Sequence, residues 1–166
     1  MALGTRLRRW HWVLVVTAAF AALVIASFFV PLPLREADKI DAARSLVAWI
    51  VESRSVPGFG EPYPDARWMT RGKRFFVACD FVPAGVSLSD DPRVQRITAQ
   101  EYDAVFKKHQ FNDTDYMFIE LKSESGTKLV LELSNVFGSL AGHGYRLEFR
   151  RTVWGLRASG KFLWVS

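Results

Sequence analysis

The chain opens on a stretch with no polar punctuation and only later takes up the periods of helices and strands. From Trp12 to Val30 the 19-residue run WVLVVTAAFAALVIASFFV carries no charge. As a helix it would be about 28 Å long, close to the hydrocarbon thickness of a bilayer. Its Val, Leu, Ile and Phe residues favour insertion by roughly 5 kcal/mol in total. Trp10, His11 and Trp12 stand where an interfacial aromatic belt would. Arg6, Arg8 and Arg9 precede the run, against Arg35 alone shortly after it. That bias predicts a transmembrane helix over 12–30, a cytoplasmic N-terminus over 1–11 and an extracytoplasmic domain. The alternative is a signal peptide cleaved after Val24-Ile25-Ala26, giving a secreted product. Continuation of the apolar run through Phe28, Phe29 and Val30 favours the anchor.

Pro31 and Pro33 end that helix, since each lacks an amide hydrogen and restricts its predecessor. They leave a linker of only 31–35, so the domain over 36–166 sits against the membrane surface. Ile40, Ala43, Val47, Ile50 and Val51 then recur at helical spacing and predict a helix over 36–53. Pro57-Gly58 stops it. Residues 56–71, VPGFGEPYPDARWMTR, form a loop long enough to suggest a purpose. RFFVACDFV over 74–82 is a strand apolar on both faces, hence covered on both sides. Thr98 and Glu101 form a capping box. The helix behind it runs to about His109, with Tyr102, Val105, Phe106 and His109 on one stripe. After that the period becomes two. Residues 115–122, 128–134, 145–150 and 162–165 alternate as a strand meander, with Ser125-Gly126 as a turn and a glycine-rich connection over 135–144. The expected fold is α+β: an N-terminal transmembrane helix, then a small domain of two or more helices packed on a curved antiparallel sheet.

Composition adjusts this picture in two places. The net charge is +5, but three of the 22 basic residues and none of the 17 acidic ones fall in the first 34 positions. The basic balance therefore belongs partly to the anchor flank, and nucleic-acid binding is not indicated. Cys79 is the only cysteine, which excludes an intrachain disulfide and any zinc site needing two thiolates.

Candidate chemistry is sparse. No GxSxG elbow, HExxH, Walker loop or EF-hand loop is present, and the glycines of 135–144 do not match a dinucleotide fingerprint. No cofactor or metal is implied. The 56–71 loop carries Phe59, Tyr63 and Trp68 beside Arg67 and Arg71, the residue types that dominate binding hot spots. It is the expected contact surface for a partner or for anionic head groups; cover for the core is the competing reading. Asp80 is a carboxylate on an otherwise apolar strand, so it is either paired or part of a pocket. His143 lies between two glycines, is expected to be exposed, and is the best placed imidazole for general base work.

The order helix, strand, helix, then four antiparallel strands resembles the NTF2-like superfamily of cone-shaped α+β barrels, with YRLEFRRTVWGLRASGKFLWVS as its long closing hairpin. The resemblance covers about residues 36–166 and implies a pocket between helices and curved sheet, without implying an activity. Two functions remain. The first is a single-pass, membrane-anchored interaction domain, an accessory or scaffold subunit of a membrane or envelope complex. Its partners would be the lipid bilayer through 12–30 and a membrane or envelope protein. The second is a small-molecule-binding or enzymatic domain using Asp80 or His143. The missing catalytic set favours the first.

Overall fold

A computed structural model describes residues 3–59, 73–111, 113–139 and 141–165. The described chain is α+β, with three helices and a six-stranded sheet. Helix α1 covers Leu3–Ser27, α2 covers Glu36–Val51 and α3 covers Tyr102–His109. The strands are β1 Arg74–Ala78, β2 Val94–Ile97, β3 Thr114–Ser125, β4 Lys128–Gly138, β5 Ala141–Thr152 and β6 Gly155–Val165.

The expected transmembrane helix is corrected: among the described residues no helix is long and apolar enough to cross a membrane. The reason is where α1 stops. Phe28 and Phe29 leave it through short bonds, their amides donating to Ile25 O at 3.1 Å and Ala26 O at 2.9 Å. The apolar helical part, from Trp12 to Ser27, is then about 24 Å long, short of a hydrocarbon core of roughly 30 Å. Phe28 instead turns onto the domain.

The sheet is mixed rather than antiparallel. Its order is β2-β1-β3-β4-β5-β6. β1 pairs in parallel with both β2 and β3, whereas β3 to β6 form the expected antiparallel meander. β2 lies outside the expected element order, being only four residues, VQRI. Parallel strands need a crossover: the loop over 79–93 returns the chain from β1 to its neighbour β2, and α3 lies in the connection from β2 past β1 to β3. The glycine-rich stretch expected as a connection is instead mostly strand, with β4 reaching Gly138 and β5 starting at Ala141. Gly144 faces Trp164 across the β5–β6 ladder, and a Cβ there would lie 2.1 Å from the indole Nε1. The bare backbone is the floor on which that ring lies, a device that offsets the poor strand propensity of glycine.

The two faces of the sheet are covered differently. On one, α2 lays Ala43, Leu46, Val47 and Ile50 against Val77, Met117, Ile119, Leu131, Leu133 and Leu147, all buried. Trp49 meets Tyr145 edge-on at 4.9 Å. On the other face α3 covers only the β2-β1-β3 end. There Tyr102, Val105 and Phe106 pack on Phe76, Ala78, Ile97 and Tyr116. This is why β1 reads as apolar on both sides. Over β3 to β6 that second face is solvated and charged. Arg146 pairs with Glu132 at 3.0 Å, Lys122 with Glu120 at 2.5 Å and Arg150 with Glu148 at 2.7 Å. The capping box closes the turn before α3, with the Thr98 amide donating to Glu101 Oε2 at 2.8 Å and the Glu101 amide to Thr98 Oγ1 at 3.2 Å.

Leu131 and Phe149 lie at the centre of the α2-facing core. Truncating either to Ala is expected to lower stability by about 2–5 kcal/mol. Denaturant melts of the two variants check this, and a loss below about 1 kcal/mol at both would contradict the packing described here.

Candidate functional site

Two regions gather groups that can act on something outside the fold. One is the junction where α1 meets the last hairpin; the other is a groove beside Asp80.

The junction is built by the linker. The Leu32 amide donates to Arg151 O at 2.8 Å in a single antiparallel bridge, and the Leu34 amide donates to Gly126 O at 2.8 Å. Arg151 donates through its guanidinium to Pro33 O at 3.2 Å and lies 3.8 Å from the buried carboxylate of Asp38. The same carboxylate accepts the Arg35 amide at 2.7 Å, so one side chain starts α2 and holds β5. Phe28 then stacks on Trp154 at 4.8 Å with planes 11° apart, and Trp154 Nε1 donates to Ser27 Oγ at 3.0 Å. Trp154 and Val153 form the tip of the β5–β6 hairpin and are both 57% exposed. Beyond the junction, Trp12, Val13, Leu14, Val15 and Val16 are all exposed, as are Phe20, Leu23 and Ile25. With 3.6 residues per turn, the five consecutive positions cover every side of the helix.

The groove beside Asp80 has a volume of about 390 Å³ and is lined by Ala78, Asp80, Phe81, Ala99, Phe118 and Glu120 among others. β1 ends four residues earlier than its expected limit at Val82. The cause is Arg96 of β2, whose guanidinium donates to the carbonyls of Cys79 at 2.7 Å and Val86 at 3.2 Å, and also to those of Val82 and Pro83. The turn wraps one charge, and Asp80 is left exposed at the groove's edge, with no arginine paired to it among the described residues. Asp80 and Glu120 both line the groove beside Phe81 and Phe118, with Glu120 already paired with Lys122.

His143 is elsewhere. It lies on the α2 side of the sheet, opposite the groove, with three strand spacings or about 14 Å of sheet between them. It is half-buried rather than exposed, among the rings of Phe137 at 5.2 Å, Phe162 at 6.0 Å and Tyr145 at 6.4 Å. The structure therefore does not bring His143 to Asp80. Phe59 is half-buried and meets Trp49 edge-on at 5.3 Å, drawn into the core cover. Tyr63, Arg67, Trp68 and Arg71 lie outside the described residues. Among the described residues no cluster of three or more His, Cys, Asp or Glu is placed to hold a metal ion.

No family model, no curated protein and no solved structure matches the chain.

Sequence reasoning singled out neither Trp154 nor Arg157 as functional. The available signal was an apolar dipeptide, Val153-Trp154, before the turn glycine Gly155, which has φ +105°. Cys79, by contrast, is the core residue its pattern implied: burial pushes its thiol up to about 12. It is expected to resist iodoacetamide at pH 8 until the protein unfolds. Replacing Arg96 with Ala strands the carbonyls it gathers and opens the 79–86 turn. Mass spectrometry should then find Cys79 alkylated under native conditions. Continued protection would mean the turn does not depend on Arg96.

Proposed function

We propose that this protein is a membrane-docked interaction domain, in which α1 buries its apolar surface in lipid and holds the folded domain at the membrane surface. The observation that carries the reading is the contrast between the two parts of the chain. The domain closes its own core, with Leu46, Ile50, Leu131 and Leu147 fully buried, whereas α1 leaves large apolar side chains exposed on every side. A helix apolar all round needs cover all round. Lipid supplies that, whereas a single protein neighbour covers one face. In the sequence, Arg6, Arg8 and Arg9 precede the exposed run and suit an anionic head-group layer. Trp154 beside Ser27 and Phe28 is an amphipathic ring of the kind favoured at a membrane interface.

The domain then presents its remaining surfaces to a membrane or envelope protein. The Pro- and aromatic-rich loop bearing Tyr63, Arg67, Trp68 and Arg71 is the contact we assign to that partner. Its composition supports this: spaced prolines reduce the entropy lost on ordering, and Trp, Tyr and Arg are the usual hot-spot residues.

Membrane docking is tested by alkaline carbonate extraction of cell membranes. The full chain should stay in the pellet, and Val16→Glu/Phe20→Glu, which alters only exposed positions, should release it while the melting temperature holds. Release of the unaltered chain would overturn the reading. A photo-crosslinking residue placed at position 63 or 68 in the membrane-bound protein should give one discrete protein adduct. Labelling of lipid alone, or none, would move the partner contact to another surface.

A further inference from the structure

We propose that the groove between the linker and the last hairpin, with Arg150 and Arg157 as its cationic wall, binds the phosphate of an anionic phospholipid head group; this rests on the membrane-docking reading above. The groove has a volume of about 170 Å³ and is lined by Phe28, Phe29, Pro31, Glu148, Arg150 and Arg157 among others. Three observations meet there.

The first is a like-charge pair. Arg150 and Arg157 are directly opposite in the β5–β6 register, on the solvated face of the sheet. Like charges at that position repel and destabilise a sheet unless a counter-charge lies between them. Glu148 is the carboxylate of the groove, and it is already shared. It accepts from Arg150 Nε at 2.7 Å and lies 3.5 Å from Lys128 Nζ, and these cations hold its carboxyl below the usual range against the opposing effect of burial. Arg157 makes no ion pair among the described residues, and its guanidinium instead sits over the Phe28 ring at 5.2 Å from the centroid. Among the described residues the groove therefore holds two cations against one committed anion.

The second is position. Phe28, Phe29 and Pro31 follow α1 immediately, so with α1 in lipid the groove lies at head-group depth. Phe29 and Val30 are 78% and 53% exposed beside it. They supply an apolar rim for acyl chains below a polar site. The third is chemistry. Guanidinium groups match the geometry of phosphate oxygens, donating two parallel hydrogen bonds to one group. Among the described residues Arg157 donates to no carboxylate, and the ring beneath it fixes the plane of the fork. A phosphodiester carries the single negative charge the groove lacks. A zwitterionic head group would also bring a cation next to two arginines.

The experiment reconstitutes the full chain in phosphatidylcholine vesicles doped with spin-labelled phosphatidylglycerol or spin-labelled phosphatidylcholine. Electron paramagnetic resonance then reads the fraction of each label immobilised by protein. The expected result is a preference for phosphatidylglycerol of about fivefold for each arginine engaged. It should fall to near parity in Arg150→Gln/Arg157→Gln, whose melting temperature should match or exceed that of the parent once the repulsion is removed. Arg157→Gln alone, at a position with no ion pair to lose, should remove about half of the effect on a logarithmic scale. If both labels are immobilised equally by the unaltered protein, the head-group site is overturned while membrane docking stands. If neither label is immobilised, the docking reading itself fails. If inorganic phosphate at matched ionic strength abolishes the preference and protects the detergent-solubilised protein against heating, the groove is a free-phosphate site and the lipid assignment is overturned.

Discussion

The structure depends on α2 covering the leucine-rich face of the sheet. Leu129, Leu131 and Leu133 of β4 and Leu147 of β5 present an apolar surface that cannot face water, and the buried side of α2 with Trp49 at its centre is what closes it. Each such side chain is worth about 1.5–3 kcal/mol when removed from water, so this contact dominates the stability of a domain this small. It also fixes the direction of everything attached to α2. The Asp38 carboxylate at the start of the helix accepts from Arg35 and lies beside Arg151, which ties the linker, the helix and β5 at one point.

The proposed membrane function follows from that point. Because Leu32 and Leu34 are hydrogen-bonded to the domain and Phe28 is stacked on Trp154, the linker is a seam and not a tether. A helix leaving such a seam cannot choose its own angle, so whatever covers α1 also sets which face of the domain meets it. The basic end of the β5–β6 hairpin, with Trp154 at its tip, is the face so presented. The interior between α2 and the sheet, where the NTF2-like resemblance implies a pocket, is occupied by Leu46, Trp49 and Ile50 against Tyr145 and Leu147. The two grooves described above lie on the outside of the fold.

A buried carboxylate elsewhere shows how the sheet tolerates polarity where it must. Asp115 at the start of β3 is almost wholly enclosed and meets Lys73 Nζ at 2.8 Å. Burial pushes its carboxyl above the usual range while Lys73 works against that shift. With the folded value raised, ionisation works against the fold as pH climbs through it, and the ammonium limits the loss. Lys73 lies just before β1, so the pair also holds the first residues of the sheet to their neighbour.

The sequence by itself determined the elements whose information is local. The period of Ile40, Val47 and Ile50 specified α2, the Thr98 and Glu101 capping box specified the turn that leads into α3, and strict alternation at Leu129, Leu131 and Leu133 specified which face of β4 is buried. Side-chain periodicity is a property of one segment, so a single segment reveals it. The parallel pairing of β1, the existence of the four-residue β2, and the passage of β4 and β5 through a glycine-rich stretch were decided only by tertiary structure. Each depends on a partner strand or a covering ring, such as Trp164 over Gly144, that lies far away in the chain. The candidate site divides in the same way. The apolar run of α1 was legible, but its end at Ser27 depends on Trp154, more than a hundred residues later. Asp80 and His143 were both visible as chemistry, but strand pairing and pleat placed them on opposite faces. A two-residue period fixes a face only once the register with its neighbours is known.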